Sequence, residues 1–292
     1  MKKIGFAGLG TMGVFMAHNL RRAGYELYVY NRNPDRMELL VDDGAIPCAS
    51  PEELGRRAEL VVVCVSDAPD VQEVIMGERG IAQGMRAPGI IVDCSTSSPR
   101  LAREMETALR QRGIGVLDAP VSGGPEGARH GTLAIMVGGE PDVFARARPV
   151  LEAMGKDVTL VGPAGAGQLT KAINQVLVAI SLEAVSEGIA LAKKYGLNPE
   201  KVLEAVSGGA ARSWVLEMRG PLILQERFTP PNFTLALHAK DLRLALEAAE
   251  ECRTHLELAE HVHRLFQELN DRGLGNLDHT AIYRHTKELN GL

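Results

Sequence analysis

The residues Gly8-Leu9-Gly10-Thr11-Met12-Gly13 lie between a short apolar run, Ile4–Gly8, and a helix-like run, Val14–Ala23. In that position a GxGxxG string suits a pyrophosphate. Its first glycine permits a tight turn, its second lets backbone approach the ligand, its third lets helix and strand pack closely, and the helix N-terminus stabilises the anion. The string therefore predicts dinucleotide binding by all six residues. The next apolar run ends in Val29-Tyr30-Asn31-Arg32-Asn33, where an acidic residue would hold the 2′-hydroxyl of an NAD ribose. Asn31 and Arg32 stand there instead. A guanidinium fork pairs with a 2′-phosphate, so NADP(H) is expected in preference to NAD(H).

Two further groups carry polar chemistry. Ser122-Gly123-Gly124 follows a strand-like run, on the side where doubly wound sheets bind ligands, and its glycines can present consecutive backbone N–H groups to a carboxylate. Lys171, Asn174 and Gln175 recur at helical spacing and share one side of a helix. On spacing alone they form a polar patch, because helical lysines are usually solvated. His261-Val262-His263 has i,i+2 spacing, which turns the rings apart on a helix, so no metal site is expected.

The elements that must position these groups fall into two patterns. To about residue 162, β-branched runs alternate with helix-like segments, the mark of parallel βαβ units in a doubly wound α/β domain. The expected strands are Ile4–Gly8, Glu26–Tyr30, Leu60–Val65, Ile90–Asp93, Val116–Asp118, Leu133–Val137 and Val158–Leu160. Helices are expected at Pro34–Val41, Pro51–Arg57 and Pro99–Gln111, each opening on proline. After Gly162-Pro163-Ala164-Gly165, residues 166–194 carry Leu169, Ile173, Val176, Leu177 and Ile180 at helical spacing, which predicts one long helix. Further helices are expected at Pro199–Ser207, Leu235–Cys252 and Leu256–Arg272. This gives a dinucleotide-binding domain over 1–162 and an all-helical domain over 163–292, where substrate binding and dimerisation are expected.

Composition narrows the function. With 292 residues, 45% hydrophobic and 24% charged, the chain is of ordinary globular type, and its net charge of −5 disfavours nucleic-acid or membrane-surface binding. The four cysteines form no CxxC pair, so neither a disulfide framework nor a zinc site is expected, and buried thiols fit a reducing cytoplasm. No stretch is read as apolar enough to span a bilayer.

The string Phe6-Ala7-Gly8-Leu9-Gly10-Thr11-Met12-Gly13 to Met16-Ala17-His18-Asn19-Leu20 resembles the β-hydroxyacid dehydrogenase family, which includes 3-hydroxyisobutyrate dehydrogenases and tartronate, glyoxylate and succinic semialdehyde reductases. Three later blocks agree in order and spacing: Asp118-Ala119-Pro120-Val121-Ser122-Gly123-Gly124, Gly167-Gln168-Leu169-Thr170-Lys171-Ala172-Ile173-Asn174-Gln175, and Lys240-Asp241-Leu242. The resemblance implies Lys171 as the acid/base residue and Asn174 as its catalytic companion. It implies Ser122, Gly123, Gly124 and Gln175 at the substrate, and Val65, Ser66, Thr96 and Lys240 at the cofactor. Trp214 and Phe233 are candidates for closing the substrate pocket. The chain departs from NAD-using hydroxyisobutyrate enzymes at Asn31-Arg32, and reads Val65-Ser66-Asp67 where many members carry Leu-Pro.

The expected activity is NADPH-dependent reduction of a small semialdehyde or keto acid, with an NAD-dependent 3-hydroxyisobutyrate dehydrogenase as the alternative. Imine-reducing relatives replace the lysine, and 6-phosphogluconate dehydrogenases have a longer helical part. A non-catalytic nucleotide-binding module would be expected to lack Lys171. Long apolar helices often pair between subunits, so a homodimer or homotetramer is expected.

Overall fold

The computed structural model describes residues 1–292 as two compact units, Met1–Lys171 and Ala172–Leu292. The first contains nine strands: β1 (Lys3–Ala7), β2 (Glu26–Tyr30), β3 (Ile46–Pro47), β4 (Leu60–Val63), β5 (Ile90–Asp93), β6 (Gly115–Asp118), β7 (Val121–Ser122), β8 (Leu133–Gly139) and β9 (Gly155–Gly162). Its helices are α1 (Gly13–Arg22), α2 (Glu38–Asp42), α3 (Pro51–Arg57), α4 (Ala68–Met76), α5 (Ile81–Gly84), α6 (Pro99–Arg110), α7 (Gly124–His130) and α8 (Pro141–Glu152). The long helix α9 (Ala166–Lys194) begins here and runs into the second unit.

The sheet order β3-β2-β1-β4-β5-β6-β8-β7, with β9 also on β8, is the doubly wound arrangement the alternating pattern predicts. The strand centres are apolar on both faces. Ile4, Phe6, Val61, Val62, Ile91 and Val92 are all fully buried, as a parallel sheet covered on both sides requires. Helices α3 and α6 open where their prolines predict, each behind a serine cap. Ser50 Oγ accepts the Glu53 N–H at 3.1 Å, and Ser98 Oγ accepts the Leu101 N–H at 3.2 Å.

Two expectations for this unit are corrected. The sheet is parallel from β3 to β6, but β8 runs antiparallel to β6 and β7. Here β7 continues the direction of β6, and the seven-residue α7 turns the chain back locally instead of carrying it across the sheet. The helix expected over Pro34–Val41 is a 3-10 turn, Pro34–Met37, followed by the short α2.

The register fixes the site-bearing edge. Ala7 pairs with both Tyr30 and Val63, Val63 with Asp93, and Asp93 with Asp118. The C-terminal ends of five parallel strands therefore stand in one row, and the glycine turn, Asn31, Val65, Thr96 and Ala119 all follow directly from it.

The second unit is helical: the remainder of α9, then α10 (Pro199–Ser207), α11 (Trp214–Leu224), α12 (Leu235–Glu251), α13 (Glu257–Leu269) and α14 (Tyr283–Leu289). Its core joins Ala179, Leu182 and Ile189 of α9 to Ile223, Leu242, Phe266 and Tyr283. Contrary to the sequence expectation, α9 is long and apolar enough to cross a membrane by length and composition. Its apolar residues are broken up by Thr170, Asn174, Gln175, Ser181 and Glu183, which hid the run, and one face of the helix packs into this core.

Half-buried Glu183 of α9 follows Leu182 of that core. Its Oε1 accepts the Thr286 hydroxyl at 3.1 Å, while its buried Oε2 has no hydrogen-bond partner. Burial pushes this carboxyl from 4.5 up to about 7, with the nearby Glu187 adding to the effect and the Thr286 bond opposing it. A folded-state value above the unfolded one means the favourable contribution is complete below about pH 4.5 and lost as pH rises through 7. Glu183→Gln, which needs no proton, is expected to stabilise the cofactor-free protein by about 2 kcal/mol at pH 8, after allowance for residual solvent contact. Most of the gain disappears at pH 5, as the folded-state carboxyl takes up its proton. Denaturant midpoints of both proteins at the two pH values check this.

Candidate active site

The glycine turn is built as its spacing predicts. Gly8 has φ of +97°, and a Cβ there would fall 2.2 Å from the Cys64 carbonyl oxygen. A Cβ on Gly13 would fall 1.9 Å from the Gly8 carbonyl oxygen, so α1 starts directly against the turn. A Cβ on Gly10, by contrast, would meet nothing within 4 Å. The first turn of α1 carries no acidic residue and no side-chain cap, which leaves its positive end to an anion. These features fit a dinucleotide pyrophosphate.

Asn31 has a role beyond its expected one. Its Oδ1 accepts the Leu9 N–H at 2.8 Å and its Nδ2 donates to the Asn33 carbonyl at 2.8 Å, so the amide ties the glycine turn to the end of β2. Arg32 beside it is 87% exposed, with Asp70 of α4 at 3.3 Å. An exposed pair of this kind contributes about 0.5 kcal/mol, too little to withhold the guanidinium from a phosphate.

On the next two loops, the Val65 N–H donates to Ser95 Oγ at 2.9 Å; Ser66 is exposed and Thr96 half-buried between buried Ser95 and Ser97. Ser122 is the last residue of β7, not a loop residue after β6 as expected, because it pairs with Ala134 of β8. Gly123 and Gly124 follow with φ of 132° and 64° and open α7, a local bend that only glycine adopts readily.

Lys171 lies in the first turns of α9 and is 8% exposed, which places an ammonium-bearing side chain where lysines are seldom found. In the second unit, Asn174 Nδ2 donates to Gln175 Oε1 at 2.9 Å, and Gln175 Nε2 donates to Asp241 Oδ2 at 2.6 Å. Lys240 Nζ lies 3.0 Å from Asp241 Oδ1. Four residues of the motif blocks thus join in one chain, with buried Asp241 as its hub. Phe233 packs its ring on His238 and His279. His238 Nε2 is 3.2 Å from the Gln175 carbonyl oxygen, and the two histidines approach through their Nδ1 atoms at 3.0 Å. Trp214 stands apart from this group, half exposed at the start of α11 beneath the Arg219 guanidinium.

In the sequence Asp93 is only a strand end, Asp118, Gln168 and Asp241 are only members of the motif blocks, and nothing marks Ser95, Ser97, His238 or His279. Asp93 and Asp118 are buried at the ends of adjacent strands, and burial raises both carboxyls, that of Asp93 to about 7 against bonds from Ser95 and Ser97. The available signal was an acid closing each of two apolar runs, Ile90-Ile91-Val92-Asp93 and Gly115-Val116-Leu117-Asp118. Burial also pushes the Cys64 thiol up to about 12, which removes it as a nucleophile at neutral pH.

The chain is similar to known nicotinamide-dependent oxidoreductases. A family described as the NAD binding domain of 6-phosphogluconate dehydrogenase matches residues 3–162, and one described as NAD-binding of NADP-dependent 3-hydroxyisobutyrate dehydrogenase matches residues 165–286. The chain is 41% identical over 280 residues to 2-hydroxy-3-oxopropionate reductase of Escherichia coli (strain K12), covering 96% of this chain and 95% of that one. A solved 3-hydroxyisobutyrate dehydrogenase of Mycobacterium tuberculosis with L-serine superposes with a TM-score of 0.90 at 30% identity, over 98% of this chain and 99% of that one. A structure of Psf3 in complex with NADP+ and 2-OPP gives 0.87 at 26% identity, over 97% and 99%.

Proposed function

The chain belongs to the β-hydroxyacid dehydrogenase family, NAD(P)-dependent oxidoreductases of small hydroxyacids, and from that premise we propose that it reduces a short carboxylate-bearing semialdehyde with NADPH. Buried Lys171 carries the proposal, since a lysine held out of water one helical turn into α9 has no surface role to perform. The substrate class is that of tartronate semialdehyde, with glyoxylate and succinic semialdehyde as its nearest chemical variants.

Most candidate residues have a defined part in this reading. The six residues Gly8 to Gly13 hold the pyrophosphate, Asn31 and Arg32 the 2′-phosphorylated ribose, and Val65, Ser66, Thr96 and Lys240 the rest of the cofactor. A nicotinamide bound there supplies the hydride. Ser122, Gly123 and Gly124 hold the substrate carboxylate through hydroxyl and backbone N–H groups. Lys171 donates a proton from Nζ to the carbonyl oxygen as that oxygen gains charge, and takes it back in the oxidative direction. Asn174 and Gln175 orient the reacting group without adding charge.

The test is a panel of glyoxylate, succinic semialdehyde, tartronate semialdehyde, 3-hydroxyisobutyrate and serine, each with NADPH or NADP and with NADH or NAD. Turnover of a semialdehyde with NADPH is expected. No turnover of any of them overturns the reading, and oxidation of 3-hydroxyisobutyrate with NAD alone replaces it with the oxidative alternative. For cofactor choice, Arg32→Asp is expected to weaken NADP about 100-fold and leave NAD within about threefold, as loss of a charge-assisted phosphate contact does. Equal weakening of both, measured by fluorescence titration, refutes the 2′-phosphate role.

The proposal includes a homodimer or homotetramer, supported by Leu169, Ile173, Leu177 and Leu191, which lie exposed along one face of α9. Light scattering tests it. A cytoplasmic location fits four unpaired cysteines.

A further inference from the structure

We infer that Gln168 is a positioning residue for Lys171, clamping the start of α9 to the loop that carries Thr96. The inference rests on Lys171 being the proton donor and concerns the first unit alone. Gln168 is 1% exposed and uses both ends of its side-chain amide: Nε2 donates to the Ser95 carbonyl at 2.8 Å, and Oε1 accepts the Ser97 N–H at 3.0 Å. Thr96 lies between these two contacts. Below the loop, Asp93 accepts the Ser95 N–H at 2.9 Å through Oδ1 and the Ser97 hydroxyl at 3.4 Å through Oδ2. On its other side, Ser95 Oγ accepts the Val65 N–H at 2.9 Å.

The backbone of Gln168 is held as firmly as its side chain. Asp118 Oδ2 accepts the Gln168 N–H at 2.8 Å, Asp118 Oδ1 accepts the Gly165 N–H at 2.8 Å, and the Gly167 N–H also points at this carboxylate. A Cβ on Gly167 would fall 2.4 Å from the Met136 carbonyl oxygen, so the helix start rests on the sheet with no space between. Lys171 follows Gln168 by three residues, one turn along the same face. One unbroken path of hydrogen bonds therefore runs from Val65 through Ser95 and Gln168 to the turn that carries Lys171.

Asp118 fixes where α9 starts, and Gln168 fixes that start against the two loops expected to face the nicotinamide. A proton donor must lie within hydrogen-bond reach of the oxygen it protonates, and a misplacement of about 1 Å costs on the order of 100-fold in rate. Removing the amide leaves the ingredients of the site in place and their relative position loose.

The experiment is a double-mutant cycle on the full-length protein, with turnover expressed per NADPH-binding site titrated by fluorescence. Gln168→Met, close in volume but without either hydrogen bond, is expected to lower kcat per site about 100-fold while NADPH Kd stays within about threefold. In a Lys171→Ala background the same change is expected to cost almost nothing, because a residue acting through the lysine has nothing left to position. Gln168→Glu keeps the acceptor for the Ser97 N–H but removes the donor to the Ser95 carbonyl, and must show a smaller loss of the same pattern, which keeps the test decisive if Gln168→Met folds poorly. Unchanged kcat per site, or the full loss repeated in the Lys171→Ala background, overturns the clamp. Full turnover by Lys171→Ala alone is a different result: it overturns the proton-donor reading on which the clamp rests.

Discussion

Lys171→Met is expected to lower kcat about 1,000-fold, within the range general acid catalysis contributes, and to leave NADPH binding within about threefold. Methionine keeps most of the unbranched stem, so the packing of a residue only 8% exposed is largely preserved and the lost function is that of Nζ. A loss of this size is about 4 kcal/mol of transition-state stabilisation. Lys171→Arg separates two roles of the amine. A guanidinium supplies positive charge and donors but does not release its proton at any working pH, and its planar fork does not fit a site shaped for a single ammonium. If proton transfer dominates, the arginine variant does nearly as badly as the methionine variant; if charge alone stabilises the oxygen, arginine restores most of kcat. Steady-state turnover beside cofactor titration reads all three proteins, and a methionine variant with wild-type turnover removes Lys171 from the chemistry.

The parts of this site that were legible in sequence are those written within a few residues of one another. Gly8, Gly10 and Gly13 act within one turn, so their spacing carries their geometry, and α9 shows its length through apolar periodicity. The clamp around Gln168 could not be read this way. Its contacts to Ser97 and Asp118 span 71 and 50 residues, and each member has an innocent local reading: a strand-end acid, a serine in a loop, a glutamine in a helix. Only the register that sets Asp93 beside Asp118 brings them together. The reversal of β8 was hidden for a related reason, since a two-residue strand such as β7 has no periodicity to detect. The contact between Asn31 and Leu9 likewise appears only once β1 and β2 are paired.

The glycine turn offers the second large effect, because two of its glycines are required for opposite reasons. Gly10→Ala is expected to leave the cofactor-free protein as stable as wild type, since its new Cβ meets no atom within 4 Å and its backbone lies outside the positive-φ region. The methyl group instead occupies the space through which a pyrophosphate would approach the chain, so NADPH affinity is expected to fall about 100-fold, equivalent to about 2.7 kcal/mol of binding. Gly13→Ala places its Cβ 1.9 Å from the Gly8 carbonyl oxygen, which cannot yield because Gly8 is itself held against Cys64. Helix α1 must then move off β1, with an expected loss of about 3 kcal/mol in stability, the scale of overpacking at a closed contact. Thermal melts without cofactor, followed by NADPH titration of each folded variant, distinguish the two effects. Should Gly10→Ala bind NADPH as wild type does, the open face of the turn is not where the pyrophosphate lies. Should Gly13→Ala melt with the wild type, close packing of helix on turn is not what that glycine provides.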